Sequence, residues 1–228
     1  MKDLLKKEIL LQWRQGFWLV YFIVSIIYVI ILLNIPRENR MVVSLIMILS
    51  DTTMLGVIFV GALVLLEKQQ NVVQAIFVTP LNPSQYIWSK TLSLSLIAFS
   101  MSILIYLPVA HVSGYTLVIF LTTLVTAGIF ALLGLGISAR LRGINDYFGV
   151  LMGASMLIAL PIVPYLLLDK HPALLCLPYI ASLDLMLGAF EPIPPWRILL
   201  DLCLLSAWGT AAFFFCRRQV VKHLVYQQ

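Results

Sequence analysis

The stretch EKQQNVVQAIFVTPLNPSQYIWSK, residues 67–90, lies between two apolar runs, each long enough to cross a bilayer. It is polar at both ends, apolar in its middle, and interrupted by Thr79-Pro80-Leu81. A hairpin between two spanning helices needs only a few residues, and here about two dozen are used. Glu67-Lys68-Gln69-Gln70 continues the preceding run as helix into water. Val72/Ile76 and Val73/Phe77 then form two apolar pairs at i,i+4, with Gln70 and Gln74 on another face. That spacing predicts a short amphipathic helix of about two to three turns. Pro80 ends it, because proline disfavours the helical conformation of the residue before it. Asn82-Pro83-Ser84-Gln85 restarts a helix, with Asn82 at the N-cap, Pro83 at the first helical position and Gln85 at the third. Tyr86, Trp88 and Lys90 are expected to anchor this new helix among the headgroups. The segment reads as helix, break and capped restart held against the membrane face. By itself this pattern fits a rigid knob on which another protein pushes, and equally an interfacial helix that anchors a loop.

Composition explains why the flanking runs are read as spans. Of 228 residues, 61% are hydrophobic and 11% charged, against about 25% charged in a soluble domain. So much apolar surface cannot be hidden in one soluble core, and the chain is an integral membrane protein. The first sixteen residues carry charges throughout and show no small-residue cleavage site, so no signal peptide is expected. The formal net charge of +5 is read as topology before it is read as affinity for nucleic acid. Cys176, Cys203 and Cys216 form no CxxC and have no histidine at metal-ligand spacing, so no metal site is expected. Cys203 and Cys216 share one helix about 20 Å apart, too far to bridge.

Six runs reach the roughly 20 apolar residues a spanning helix requires: 17–35, 41–66, 86–112, 115–139, 147–168 and 196–216. With the N-terminus inside, the cytoplasmic side holds Lys2, Lys6, Lys7, Arg14, Lys68, Lys90, Arg140, Arg142, Arg217, Arg218 and Lys222. The outer side holds Arg37, Arg40, Lys170 and Arg197. Eleven against four is a positive-inside bias that predicts both termini in the cytoplasm. Trp13, Trp18, Tyr86, Trp88 and Tyr147 fall near the inner boundary, and Tyr115 and Trp196 near the outer one. Residues 1–16 read as an interfacial helix with Leu5, Ile9 and Trp13 as its apolar stripe, and Gly16 permits a bend into the first span. The tail, 217–228, completes the cytoplasmic face. Residues 169–195 contain a rival seventh apolar stretch, 173–191, interrupted by Pro178 and Asp184. A seventh crossing would carry the basic tail outside, so short helices that dip into the outer leaflet and return are expected, with a loop on the outer surface as the alternative.

At this point the chain resembles the membrane subunit of ABC-2 type transporters. The residues that carry the resemblance are the pair Glu67-Lys68, the 71–78 helix, Thr79-Pro80-Leu81, and Lys90 at the base of the next span. Gly134-Leu-Gly136-Ile-Ser138 in the fourth span and Leu160-Pro161 in the fifth extend it over the whole chain. The family often has Gly-Thr at the helix start and an acidic residue two positions on, where this chain has Asn71-Val72 and Gln74. The resemblance implies an all-α integral membrane fold of one transmembrane domain, with six spans, a coupling helix between spans two and three, and re-entrant helices between spans five and six. It implies two paired permease subunits, identical or paralogous, in the inner membrane, and a separate cytoplasmic ATPase docked on residues 67–85. Glu67, Lys68, Val72, Val73, Ile76, Phe77, Thr79, Pro80 and Leu81 would form that docking element. No GxxxxGK[ST] is present, so ATP and Mg would be held by the partner.

Asp51 lies about 15 Å into the second run at helical rise, a depth at which an acid is a pathway candidate. A helix longer than the membrane would instead leave it near the outer interface. Asp201, one turn past Trp196, is expected at that interface. Gly149 and Gly153 form a GxxxG, which suits contact with a second subunit or packing within one. Pro161 and Pro164 are expected to kink the same helix. His111, His171 and His223 fall at span ends or in loops, and no catalytic residue is assigned. The leading expectation is an exporter permease for a hydrophobic or amphipathic substrate: a drug, an antimicrobial peptide, a lipid-like molecule or haem. An ion-gradient-driven transporter and a membrane-embedded enzyme are the alternatives.

Overall fold

A computed structural model describes residues 2–78, 82–109, 116–141, 143–159, 161–167, 172–190 and 194–225. These are almost wholly helical, with no strand among the described residues. A chain in lipid must satisfy each backbone group within its own segment, and the helix is how a single apolar run does so. In chain order the helices are α1 (Lys2–Arg14), α2 (Phe17–Leu33), α3 (Arg37–Met54), α4 (Val60–Gln69), α5 (Val72–Val78), α6 (Pro83–Tyr106), α7 (Thr116–Arg140), α8 (Ile144–Ala159), α9 (Ile162–Leu167), α10 (Pro178–Leu187) and α11 (Pro195–Val220). A π-turn, Leu55–Phe59, joins α3 to α4, a 3-10 turn, Pro172–Cys176, precedes α10, and a second π-turn, Val221–Val225, continues α11.

By length and composition four helices can cross a membrane: Arg37–Gln69, Pro83–Tyr106, Thr116–Arg140 and Pro195–Leu224. α1 and α2 make a fifth candidate, bent by 63°. The bend sits at Gly16, whose φ of +78° is the left-handed conformation that glycine adopts without steric cost. The run expected at 147–168 is divided between α8 and α9. Pro161 stands at the break, as expected, but Pro164 does not kink the chain. It occupies the first turn of α9, where its missing N–H has no helical acceptor to lose, and the Tyr165 N–H still reaches the Pro161 carbonyl at 3.1 Å.

α7 is the central post, packed on α3, α4, α6, α10 and α11. Its small residues set the approach of its neighbours. A Cβ on Gly134 would lie 2.7 Å from the Val57 carbonyl oxygen, and one on Gly136 would lie 2.7 Å from the Phe215 ring. On the facing side, a Cβ on Gly56 would lie 2.8 Å from Phe130 Cβ. The π-turn and α7 thus meet backbone to backbone. The Val57 carbonyl of the π-turn accepts from the Val60 N–H, and the Tyr147 hydroxyl donates to the same oxygen. Tyr147 is fully buried.

The segment before α11 differs from an outer surface loop. All ten residues of α10 are buried, and it packs on α3, α7 and α11. At ten residues it is too short to cross. Each of its polar side chains bonds to a different helix: Tyr179 to Ser50 at 3.1 Å, Ser182 to Thr126 at 2.7 Å, and Asp184 to Arg197 at 2.7 Å. The wide apolar faces of α2, α8 and α11, among them Leu19, Ile30, Met152, Leu199 and Phe214, are left exposed.

Candidate functional site

α4 runs past its last apolar residue to Gln69, as the polar continuation at 67–70 predicted. It ends at Asn71, whose φ of +58° makes it the one non-glycine residue in the left-handed region among the described residues. The Asn71 N–H bonds the Lys68 carbonyl and the Gln70 N–H bonds that of Leu66. Asparagine is the residue after glycine that best tolerates this conformation. The departure from the family's glycine at this position therefore preserves the turn.

α5 follows directly and packs on α4 and on the π-turn Val221–Val225. Its buried side chain is Val73, 3% exposed, with Ile76 partly buried beside it. Val72 is exposed, as are Asn71 and Gln74. The apolar face is thus an i,i+3 pair, Val73/Ile76, where Val72/Ile76 was expected. Phe77 lies on the α5 backbone, its side chain outside the described residues, as are Thr79, Pro80 and Leu81. Asn82 occupies the N-cap of α6 and Pro83 its first position, without a side-chain cap bond.

The last turn of α4 is joined to α1 and α6 by buried charge. Lys90 Nζ lies 2.5 Å from Glu67 Oε1 and 3.2 Å from Glu8 Oε1. The Tyr86 hydroxyl donates to Glu67 Oε2 at 3.0 Å, and Lys90 Nζ stands 5.3 Å from the centre of the Tyr86 ring. One turn along, Gln12 Nε2 donates to Ser93 Oγ at 2.8 Å. Lys68 Nζ reaches the other way, donating to the Ala139 and Leu141 carbonyls at the end of α7, each at 2.9 Å. Lys90 and Tyr86 are 1% and 0% exposed, so neither is the headgroup anchor that was expected. Trp88 is exposed and stacked on Phe213. A buried ammonium persists only where it is paired and hydrogen-bonded, and two glutamates supply the partners. Burial pushes the Glu8 carboxyl above its ordinary value, against the pull of Lys90.

Glu8 and Gln12 were missed from the sequence. The apolar stripe Leu5, Ile9 and Trp13 drew attention, yet Trp13 is 66% exposed while Glu8 and Gln12 are buried. Their i,i+4 spacing on one face of α1 was the available signal.

The other candidates stand apart from this cluster. Asp51 is partly buried at the end of α3, and its charge is felt by Tyr21 and Tyr28 of α2. Asp201 is fully buried, although one turn away Trp196 is exposed. Gly149 and Gly153 have nothing within 4 Å of a Cβ position, so among the described residues they make no close packing within the chain. No cluster of three or more metal-ligating side chains converges among the described residues.

A bundle of apolar helices, several able to cross a membrane, threaded by buried polar contacts and with charge gathered at its helix ends, defines a multi-pass membrane protein of the transporter class. The whole chain, residues 1–228, matches the Fluoroquinolones export permease protein family, and the chain belongs to it. Two fluoroquinolones export permease proteins of Mycobacterium tuberculosis, from strains CDC 1551 / Oshkosh and ATCC 25618 / H37Rv, are each 28% identical to it over 198 residues. The matches cover 85% of this chain and 83% of each relative. The chain is a membrane permease with a role in export.

Proposed function

We propose that this permease is the membrane subunit of an ATP-driven exporter of the ABC-2 kind, with α5 as the element on which a separate ATPase docks. The observation that carries the reading is the Glu67–Lys90–Glu8 network. It ties the last turn of α4, on which α5 packs, to the middle of α1 and to α6 about two turns from its start, so a push on α5 passes through α4 to both. The exposed edge of α5, Val72 and Gln74, is then the docking face, continued in sequence by Thr79, Pro80 and Leu81. The chain crosses the inner membrane six times, with α8 and α9 as a broken fifth span and both termini in the cytoplasm. ATP and Mg belong to the partner, and this chain has no catalytic role of its own. A second permease subunit packs against Gly149 and Gly153. The substrate is a hydrophobic or amphipathic molecule, and the relatives' names point to fluoroquinolones.

Co-expression with ATPases encoded in the same genome tests this. Wild type is expected to capture one through purification, and Val72→Asp/Gln74→Lys to lose it while remaining folded. Equal capture by the variant overturns α5 as the docking element. Buried acids at Asp184 and Asp201, with the half-buried Asp51, favour ion-gradient drive as the second reading. Export that survives ATP depletion but collapses with an uncoupler would select it.

A further inference from the structure

At the junction of α10 and α11 lies a buried acid whose charge the Lys90 site does not use. Asp201 is 0% exposed, and both its carboxylate oxygens are buried without a hydrogen-bond partner. Asp184, 1% exposed, accepts from Arg197 Nε at 2.7 Å and from the Tyr165 hydroxyl. The two carboxyls lie near enough for each to feel the other's charge. Two carboxylates have no donor between them. Ionised together beside the single guanidinium of Arg197, they would leave one negative charge in excess inside the protein, which is costly at such a site.

We infer that Asp184 and Asp201 share one proton, so that the α10–α11 junction is a proton-binding site. With the proton on Asp201, its hydroxyl donates to the Asp184 carboxylate, and the cluster of Asp184, Arg197 and Asp201 becomes neutral. Such pairs titrate as a unit. The groups facing Asp201 are Asp184 from α10 and Arg197 from α11, with Tyr165 of α9 reaching it through Asp184. Ser50 of α3 meets α10 through Tyr179, and α7 contributes hydroxyls but no titratable group before Arg140. A groove of about 440 Å³ lined by Leu121, Val125, Leu185, Ile198, Leu202 and Leu205 runs along the same junction. Ile198, Leu202 and Leu205 stand within one turn of Asp201 on α11. Parting α10 from α11 along this groove lets water reach Asp201 and releases the proton. The junction therefore stays closed when the proton is bound and opens more readily as pH rises. This holds whichever energy source drives export, and its test needs no partner.

The full-length protein in lipid nanodiscs is examined by infrared difference spectroscopy and by thermal unfolding across pH. Wild type is expected to show a protonated-carboxyl band at neutral pH that shifts in D2O, is missing from Asp201→Asn, and persists in Asp51→Asn. The native state holds a proton that the unfolded chain has lost, so the wild-type melting temperature falls as pH rises from the ordinary carboxyl range up through the titration of the pair, whereas Asp201→Asn loses that slope. Asp201→Asn is expected to melt near wild type at neutral pH. If it fails to fold, the wild-type band titrated with pH and compared with Asp184→Asn decides. Absence of the band, its survival in the Asp201 or Asp184 variant, or equal pH slopes overturns the inference.

Discussion

Gly61 of α4 and Tyr147 of α8 share one volume: a Cβ on Gly61 would lie 1.9 Å from both the Tyr147 hydroxyl and its ring. The missing side chain lets the ring lie across α4 and its hydroxyl donate to the Val57 carbonyl of the π-turn. Gly61→Ala is therefore expected to expel the ring and lower stability by about 2–3 kcal/mol, through overpacking and the lost bond. Tyr147→Phe keeps the packing and costs about 1 kcal/mol. Thermal unfolding in detergent measures both. In a Tyr147→Leu background the Gly61→Ala penalty should largely vanish, and an undiminished penalty would refute this packing account.

Lys90 is the lone cation between Glu67 and Glu8. Lys90→Met strands two buried carboxylates and is expected to cost about 3–5 kcal/mol. Replacing all three, as Glu8→Gln/Glu67→Gln/Lys90→Met, removes the stranded charge and recovers most of that loss. Denaturant or thermal melts of wild type, Lys90→Met, Glu8→Gln/Glu67→Gln and the triple variant, treated as a cycle, check the claim. A triple variant no better than Lys90→Met would show that the network acts through something other than charge.

Two glutamates for one lysine leave the cluster with one negative charge too many, consistent with the raised Glu8 carboxyl. A carboxyl whose native value is raised gives the folded state its full stability below the unfolded value and loses part of it as pH rises. The window opens at the ordinary 4.5 and extends up through the raised value. Glu8→Gln is expected to match wild type in acid and to be at least as stable at neutral pH. Glu67→Gln, which removes the closest partner of Lys90, is expected to be less stable. Melting temperatures of the three proteins from pH 4 to 8, a window set around the carboxylate range, separate these outcomes.

Asn71 turns the chain into α5 in a left-handed conformation. Asn71→Gly should be nearly neutral, and Asn71→Val should cost about 1–2 kcal/mol, because a β-branched residue meets the following carbonyl there. If ATPase capture runs through α5, Asn71→Val also weakens it while Asn71→Gly does not. Melts and co-purification from the same preparations provide both readings.

Gly149 and Gly153 face open space, so bulk added there meets nothing within the chain. Gly149→Leu and Gly153→Leu are expected to leave the unfolding of the isolated chain within about 0.5 kcal/mol of wild type. The population of paired permeases, read by light scattering in detergent, should fall. Loss of stability without loss of pairing would place these glycines in internal packing.

Several features follow from the sequence alone because they depend on local chemistry. The apolar runs at 41–66, 86–112, 115–139 and 196–216 had to become helices, since no other arrangement satisfies an isolated backbone in lipid. Gly16, Asn82-Pro83 and Pro161 marked the bend, the restart and the break, because each restricts or frees its own φ and ψ. Glu67, Lys68 and Lys90 were legible as a motif. Their meeting with Glu8 was not, because a contact across 82 residues is decided by how α1 lies on α6 and not by any spacing along the chain. For the same reason the burial of Tyr86, Tyr147 and Asp201 was not legible. Amphipathic side chains near a span end can reach either headgroups or a protein interior. Here the glycines of α4 and α7 let helices approach so closely that the interior wins. Local sequence determined where helices begin, bend and stop, and tertiary packing alone decided which polar groups were taken out of water and with whom they are paired.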